Sequence, residues 1–181
     1  MQVRPLHLTD AHAVALVVAR ADARRLGRPL PTALVHLSGP DGPGRWARLL
    51  TSAGTVTLGA FEAGRLASAV IVAPMRADSG RGDVVPEWAH VALVVSDPDH
   101  WGRGLASKLL FHLDVVLAEE GYHHLELWTQ RDNLRARRFY ERRGWTRSRR
   151  LPAISGRGEP LVHYQRVVPP HLWRLARSSA R

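Results

Sequence analysis

Residues 91–110 read VALVVSDPDHWGRGLASKLL, and no other stretch limits as tightly what this chain can fold into. The opening run, VALVV, has the apolar and β-branched content of a buried strand. Ser96, Asp97, Pro98 and Asp99 supply turn chemistry, the Gly102-Arg103-Gly104 loop follows, and helical periodicity begins at Leu105. Strand, glycine loop and helix in that order set a helix N-terminus beside the end of a strand. The first amides of such a helix have no intrahelical acceptor and carry the positive end of its dipole, while glycine lets a ligand approach the main chain. A corner built this way suits an anion, pyrophosphate above all.

The remaining residues alternate between strand and helix patterns. Residues 2–8 read as a first strand and residues 11–26 as a helix capped by Thr9 or Asp10, with Ala11, Val14, Val17, Val18 and Ala21 on its apolar face. Prolines and glycines make residues 27–44 a loop with one short helical turn around residues 33–37, and residues 45–52 read as a second helix. Residues 55–61 and 66–73 form a hairpin across Glu62-Ala63-Gly64-Arg65, with Gly64 at positive φ. Residues 77–84 are a loop, and residues 88–95 are apolar enough for a central strand. The helix after the glycine loop carries Leu105, Leu109, Leu113, Val116 and Leu117 on one face and ends at Gly121. A strand over residues 123–129, a helix over 133–143 stopped by Gly144, and strands over 145–150 and 161–168 complete the pattern. The fold class is α/β (α+β), a mixed, mostly antiparallel twisted sheet of six to seven strands flanked by four helices. A single domain is expected over residues 1–168, followed by a basic tail over residues 169–181.

Composition narrows the function classes. With 181 residues and 45% hydrophobic content the chain can bury a real core. Zero cysteines excludes disulfides, thiol nucleophiles and thiolate-bound zinc. His123 and His124 alternate across a strand and cannot share a metal, so no metal is expected. No apolar run spans a bilayer and no secretory pattern opens the chain, which points to the cytoplasm and away from a membrane. The formal charge of +10 raises the question of nucleic acid. However, the basic residues are arginines apart from Lys108 and are spread along the chain except for a cluster over residues 131–150. That distribution argues against nucleic acid as the main partner and suits an acidic small molecule.

About 30 residues beyond the glycine loop stand Gln130-Arg131-Asp132-Asn133 and a helix ending Arg138-Phe139-Tyr140-Glu141-Arg142-Arg143-Gly144-Trp145. Together these blocks resemble the GNAT superfamily of acyl-CoA-dependent N-acetyltransferases, across residues 55–168. The family's loop, Arg/Gln-x-x-Gly-x-Gly/Ala, falls on Trp101-Gly102-Arg103-Gly104-Leu105-Ala106. Its second block falls on Asn133, Ala136, Phe139-Tyr140 and Gly144-Trp145. Trp101 departs from the family's Arg or Gln, and Ser96 stands where an apolar β-branched residue is common.

The resemblance implies acetyl-CoA as acyl donor, with its pyrophosphate at Gly102, Arg103, Gly104, Leu105, Ala106 and Ser107. It implies a pantetheine arm bonded to the main chain of Val94, Val95 and Ser96 and to Asn133, and a thioester carbonyl polarised by an N–H of that strand end. Tyr140 matches the residue that protonates the leaving thiolate, a role suited to a phenol. Family members that use a carboxylate base often place it on the strand before the loop. This makes His90 the first candidate base, Glu87 the second and Glu126, on the next strand, the third. The expected reaction is direct attack in a ternary complex by a primary amine, on either a small molecule or a peptide; a homodimer is left open. The alternative is a non-catalytic basic module of the same fold, holding nucleic acid or a protein partner through residues 131–150 and 169–181.

Overall fold

A computed structural model of the chain describes residues 1–29, 42–150 and 153–179. The helical turn expected around residues 33–37 lies outside them. The described strands are β1 (Gln2–Arg4), β2 (Val56–Glu62), β3 (Arg65–Arg76), β4 (Val84–Ser96), β5 (His124–Gln130), β6 (Thr146–Arg147) and β7 (Leu161–Val167). The helices are α1 (Ala11–Leu26), α2 (Pro43–Thr51), α3 (Leu105–Glu119), α4 (Leu134–Glu141) and α5 (Pro170–Ser179), and single turns add to these. The seven strands form one sheet in the order β1-β2-β3-β4-β5-β7-β6. Pairing is antiparallel for β1–β2, β2–β3, β5–β7 and β6–β7 and parallel for β4–β5, so the sheet is mixed as expected. Among the described residues no helix is long and apolar enough to cross a membrane.

Packing divides the chain into two compact units, Met1–Ala73 with Ala92–Val116, and Pro74–Val91 with Leu117–Arg181. The first is built on a core of Leu6, Val14, Val17, Trp46, Phe61, Ile71 and Val95. Asp10 precedes α1, but its carboxylate turns back to accept from Arg4 (2.7 and 2.9 Å) and from the His7 N–H (2.8 Å) instead of capping the helix. The β2–β3 hairpin turns through Ala63 (φ +47°) and Gly64 (φ +74°). Both central residues are left-handed because a two-residue loop must match the strands' twist, so Ala63 accepts strain that the sequence pattern assigned to Gly64 alone.

In the second unit, Trp88, Ala89 and His90 of β4 pair with His124, Leu125 and Glu126 of β5. β5 pairs in turn with β7, matching Leu127 to Tyr164 and Trp128 to His163. Residues opposite one another share a face. One face of the β5–β7 pair therefore carries Leu125, Leu127, Val162 and Tyr164, all buried, and the other carries Glu126, Trp128, His163 and Gln165. β6 stops at Arg147, short of the expected residue 150, because the Ser148 hydroxyl accepts the Arg150 N–H (3.2 Å) and turns the chain. The helix α5 occupies most of the expected tail. Pro170 at its start suits a first helical turn, and Trp173 stacks on His123 with ring centroids 4.3 Å apart.

Candidate active site

The glycine corner has the geometry its sequence implies. The Trp101 indole N–H donates to the Ser96 carbonyl (2.8 Å), so the departure from the family motif pins the loop to the strand end. Ser68 donates to the Val95 carbonyl (2.7 Å), which uses its one proton, so the Ser96 hydroxyl donates to Ser68 (2.8 Å). Carbonyls expected to meet a pantetheine arm thus already carry side-chain partners. Asp97 accepts from Arg20 (2.7 and 3.2 Å) and from the Asp99 N–H (3.0 Å). Burial pushes the Asp97 carboxyl up, but the hydrogen bonds from Arg20 and the Asp99 N–H outweigh it and hold the group below its ordinary value.

Gly102 (φ +83°) and Gly104 (φ +76°) both sit in the left-handed region. A Cβ on either would meet nothing within 4 Å. The Lys108 N–H donates to the Gly104 carbonyl (3.1 Å), so α3 begins there, and its first amides, those of Leu105 and Ala106, are placed before any intrahelical acceptor. Open space in front of a helix N-terminus fits a pyrophosphate. Arg103, expected at that anion, pairs with Glu62 (2.8 Å) and is 52% exposed.

On the second unit, Asn133 caps α4, its side-chain oxygen accepting the Ala136 N–H (3.1 Å). With the oxygen turned to the cap, the amide N–H groups are the side chain's donors. Tyr140 is buried, with ring centroids 5.4 Å from Phe139, 5.7 Å from Trp145 and 6.2 Å from Tyr164. Burial raises its phenol above the ordinary value, so the hydroxyl keeps its proton throughout the working pH range.

His90 and Glu126 meet on the polar face. Glu126 Oε1 accepts from His90 Nδ1 (3.2 Å), and Oε2 accepts from His163 Nε2 (2.9 Å) and Arg150 Nη1 (2.9 Å). His163 Nδ1 lies 2.6 Å from the Ser148 hydroxyl. Burial works against the Glu126 charge, yet hydrogen bonds from His163 and His90 bring its pKa down to about 2. A carboxyl that holds its proton so weakly is a poor base. Because its folded value lies below the ordinary one, its contribution to stability is complete above about pH 4.5 and disappears as the pH falls toward 2. Urea unfolding of the wild type is expected to lose roughly 3 kcal/mol across that window beyond what Glu126→Gln loses. Equal losses in the two proteins would remove the carboxylate as the cause.

Glu87, the second candidate base, stands apart from this group. It has φ +63° within β4, its carbonyl accepts the His123 N–H (2.8 Å), and its 57% exposed carboxylate lies 3.4 Å from His123 Nδ1. Sequence reasoning missed His163, Ser148 and Arg150. The signal for His163 was a polar residue within an otherwise apolar strand, VHY, as Glu126 is within LEL, and Ser148 and Arg150, outside the strands, gave none. Among the described residues no group of three or more His, Asp or Glu side chains is arranged to hold a metal ion.

Comparison with known proteins agrees with the fold. The acetyltransferase (GNAT) family model matches residues 31–145, well over half the chain. The chain belongs to that family and is an acyltransferase. No curated protein matches it. Among solved structures, the ribosomal-protein-S18-alanine N-acetyltransferase from Escherichia coli is similar at 21% identity, over 92% of this chain and 93% of that one, with TM-score 0.67. PaiA N-acetyltransferase from Thermoplasma acidophilum, solved in complex with coenzyme A, is 13% identical over 90% and 96%, with TM-score 0.67. Ribosomal-protein-alanine N-acetyltransferase from Brucella melitensis is 17% identical over 92% and 99%, with TM-score 0.65. At these identities the likeness is one of fold.

Proposed function

We propose that this chain transfers an acetyl group from acetyl-CoA to a primary amine by direct attack in a ternary complex. The observation that carries the reading is the open glycine corner at Gly102 and Gly104 in front of the α3 N-terminus, in a chain of the GNAT family. A similar fold solved with coenzyme A supports the choice of donor. Acetyl-CoA supplies an activated carbonyl and a thiolate leaving group; the protein supplies position and protons.

The amides at Gly104, Leu105 and Ala106 hold the pyrophosphate, the Asn133 amide steadies the arm, and an N–H of the β4 end polarises the carbonyl. His90 accepts the proton of the attacking amine as the C–N bond forms. Tyr140 gives its phenolic proton to sulfur as the C–S bond breaks, and both groups then exchange with solvent. His90 is preferred to Glu87, which is held by His123, and to Glu126, which is held by three donors. Tyr140 packs on Tyr164, on the opposite face of the β5–β7 pair from His90's partner Glu126. The amine nitrogen and the sulfur are both bonded to the reacting carbon in the intermediate, so the proposal requires the thioester to lie where both groups reach it.

Neighbours named for ribosomal-protein alanine keep a peptide amine among the acceptors, beside small amines. Two arginines of the cluster offered to the basic-module alternative are engaged within the fold. Arg137 donates to Tyr164 and to the Arg131 carbonyl, and Arg150 to Glu126. Millimolar acetyl-CoA is expected to raise the Tm by several degrees. No shift, with no heat on titration, overturns the reading. A screen of small amines and peptide N-termini for thiol release then identifies the acceptor class.

A further inference from the structure

We infer that Glu126, backed by His163, Arg150 and Ser148, is a positioning residue that fixes the tautomer of His90 and leaves Nε2 as the proton-accepting atom. The inference rests on His90 acting as the base proposed above. A carboxylate can only accept, so each ring nitrogen that touches Glu126 must carry a proton. Those are Nδ1 of His90 at 3.2 Å and Nε2 of His163 at 2.9 Å. The proton that His90 exchanges is therefore the one at Nε2, on a side chain that is 34% exposed.

The two carboxylate oxygens divide the work. Oε2 takes both His163 and Arg150, whereas Oε1 takes His90 alone. His163 is itself held from behind. Its Nδ1 accepts from the Ser148 hydroxyl in the neutral ring, and the same hydroxyl accepts the Arg150 N–H. The carboxylate is thus immobilised by two bonds that do not involve His90, and it presents one oxygen at a fixed position to the imidazole. As Nε2 takes up a proton, the adjacent carboxylate stabilises the imidazolium that forms. The charged and titratable groups grouped on His90 are Glu126 from β5 and, through it, His163 from β7 and Arg150 from the turn after β6.

A Glu–His pair that only holds strands together would fix the same resting tautomer, so turnover is read beside it. A positioning role predicts at least ~10-fold lower kcat for thiol release in Glu126→Gln with the KM for acetyl-CoA unchanged, and an unchanged kcat overturns the inference. The substitution Glu126→Gln separates the two roles. The amide has one accepting oxygen, and Arg150 and His163 both donate toward the Oε2 position. The oxygen is claimed there, the –NH2 faces His90, and Nδ1 becomes the acceptor. The expected result, from long-range ¹H–¹⁵N imidazole correlations on the full chain without ligand, is a neutral His90 protonated at Nδ1 in the wild type. In Glu126→Gln it is protonated at Nε2; His90→Gln identifies the signals. A wild-type ring protonated at Nε2 overturns the inference, as does an Nδ1–H tautomer that survives Glu126→Gln. The wild-type spectrum still decides the tautomer if the variant does not fold. Thermal stabilisation by acetyl-CoA, which tests the proposed function separately, is expected to be unchanged in Glu126→Gln.

Discussion

Replacing Gly104 with valine is expected to weaken acetyl-CoA binding by at least ~100-fold, equivalent to about 2.7 kcal/mol, while the protein still folds. Gly104 has φ +76°, where an L side chain costs of order 1–2 kcal/mol and a β-branched one somewhat more. That strain is the only direct conflict, since a Cβ there meets no atom within 4 Å. The valine methyls would fill the open space before the first amides of α3, where the phosphates are proposed to lie. Gly104→Ala carries the same backbone strain with less bulk and separates the two effects. Titration calorimetry is expected to show a modest loss for alanine and a near-complete loss for valine. Wild-type affinity in Gly104→Val would make the loop a structural turn and leave the donor site elsewhere.

What the sequence revealed and what it hid follow from range. The β4–loop–α3 corner is contiguous, so the apolar run before Ser96, the glycines at 102 and 104 and the periodicity from Leu105 each testify to the same local geometry. The β2–β3 hairpin was legible for the same reason. Side-chain assignments that depend on distant partners fared differently. Arg103 reads as a phosphate ligand, and nothing local announces its ion pair with Glu62 on β2 at 2.8 Å. Trp101 reads as a departure from the family motif, and its indole bond to the Ser96 carbonyl shows only in the fold. The group around Glu126 is the clearest case, because Glu126 and His163 are joined only by the β5–β7 register, across the intervening helix α4 and strand β6. A polar residue inside an apolar strand announces that a partner exists without saying which.

The largest loss of turnover is expected from Tyr140→Phe, about 10²- to 10³-fold in kcat with acetyl-CoA affinity nearly unchanged. The ring makes the packing contacts, against Phe139, Trp145 and Tyr164, and phenylalanine keeps the ring. Only the hydroxyl is removed, so Tm should move little and a fall in rate cannot be blamed on a damaged core. Burial raises the phenol's pKa, which by itself weakens it as an acid. A thiolate departing into desolvated surroundings is raised in the same direction, so the proton transfer stays close to matched. Because the phenol holds its proton through the working range, it contributes no limb to the pH–rate profile, and Tyr140→Phe should lower the profile without changing its shape. A variant with full turnover removes Tyr140 as the acid and leaves the thiolate to take its proton from water. A variant with unchanged kcat but a raised KM for acetyl-CoA assigns the hydroxyl to binding alone.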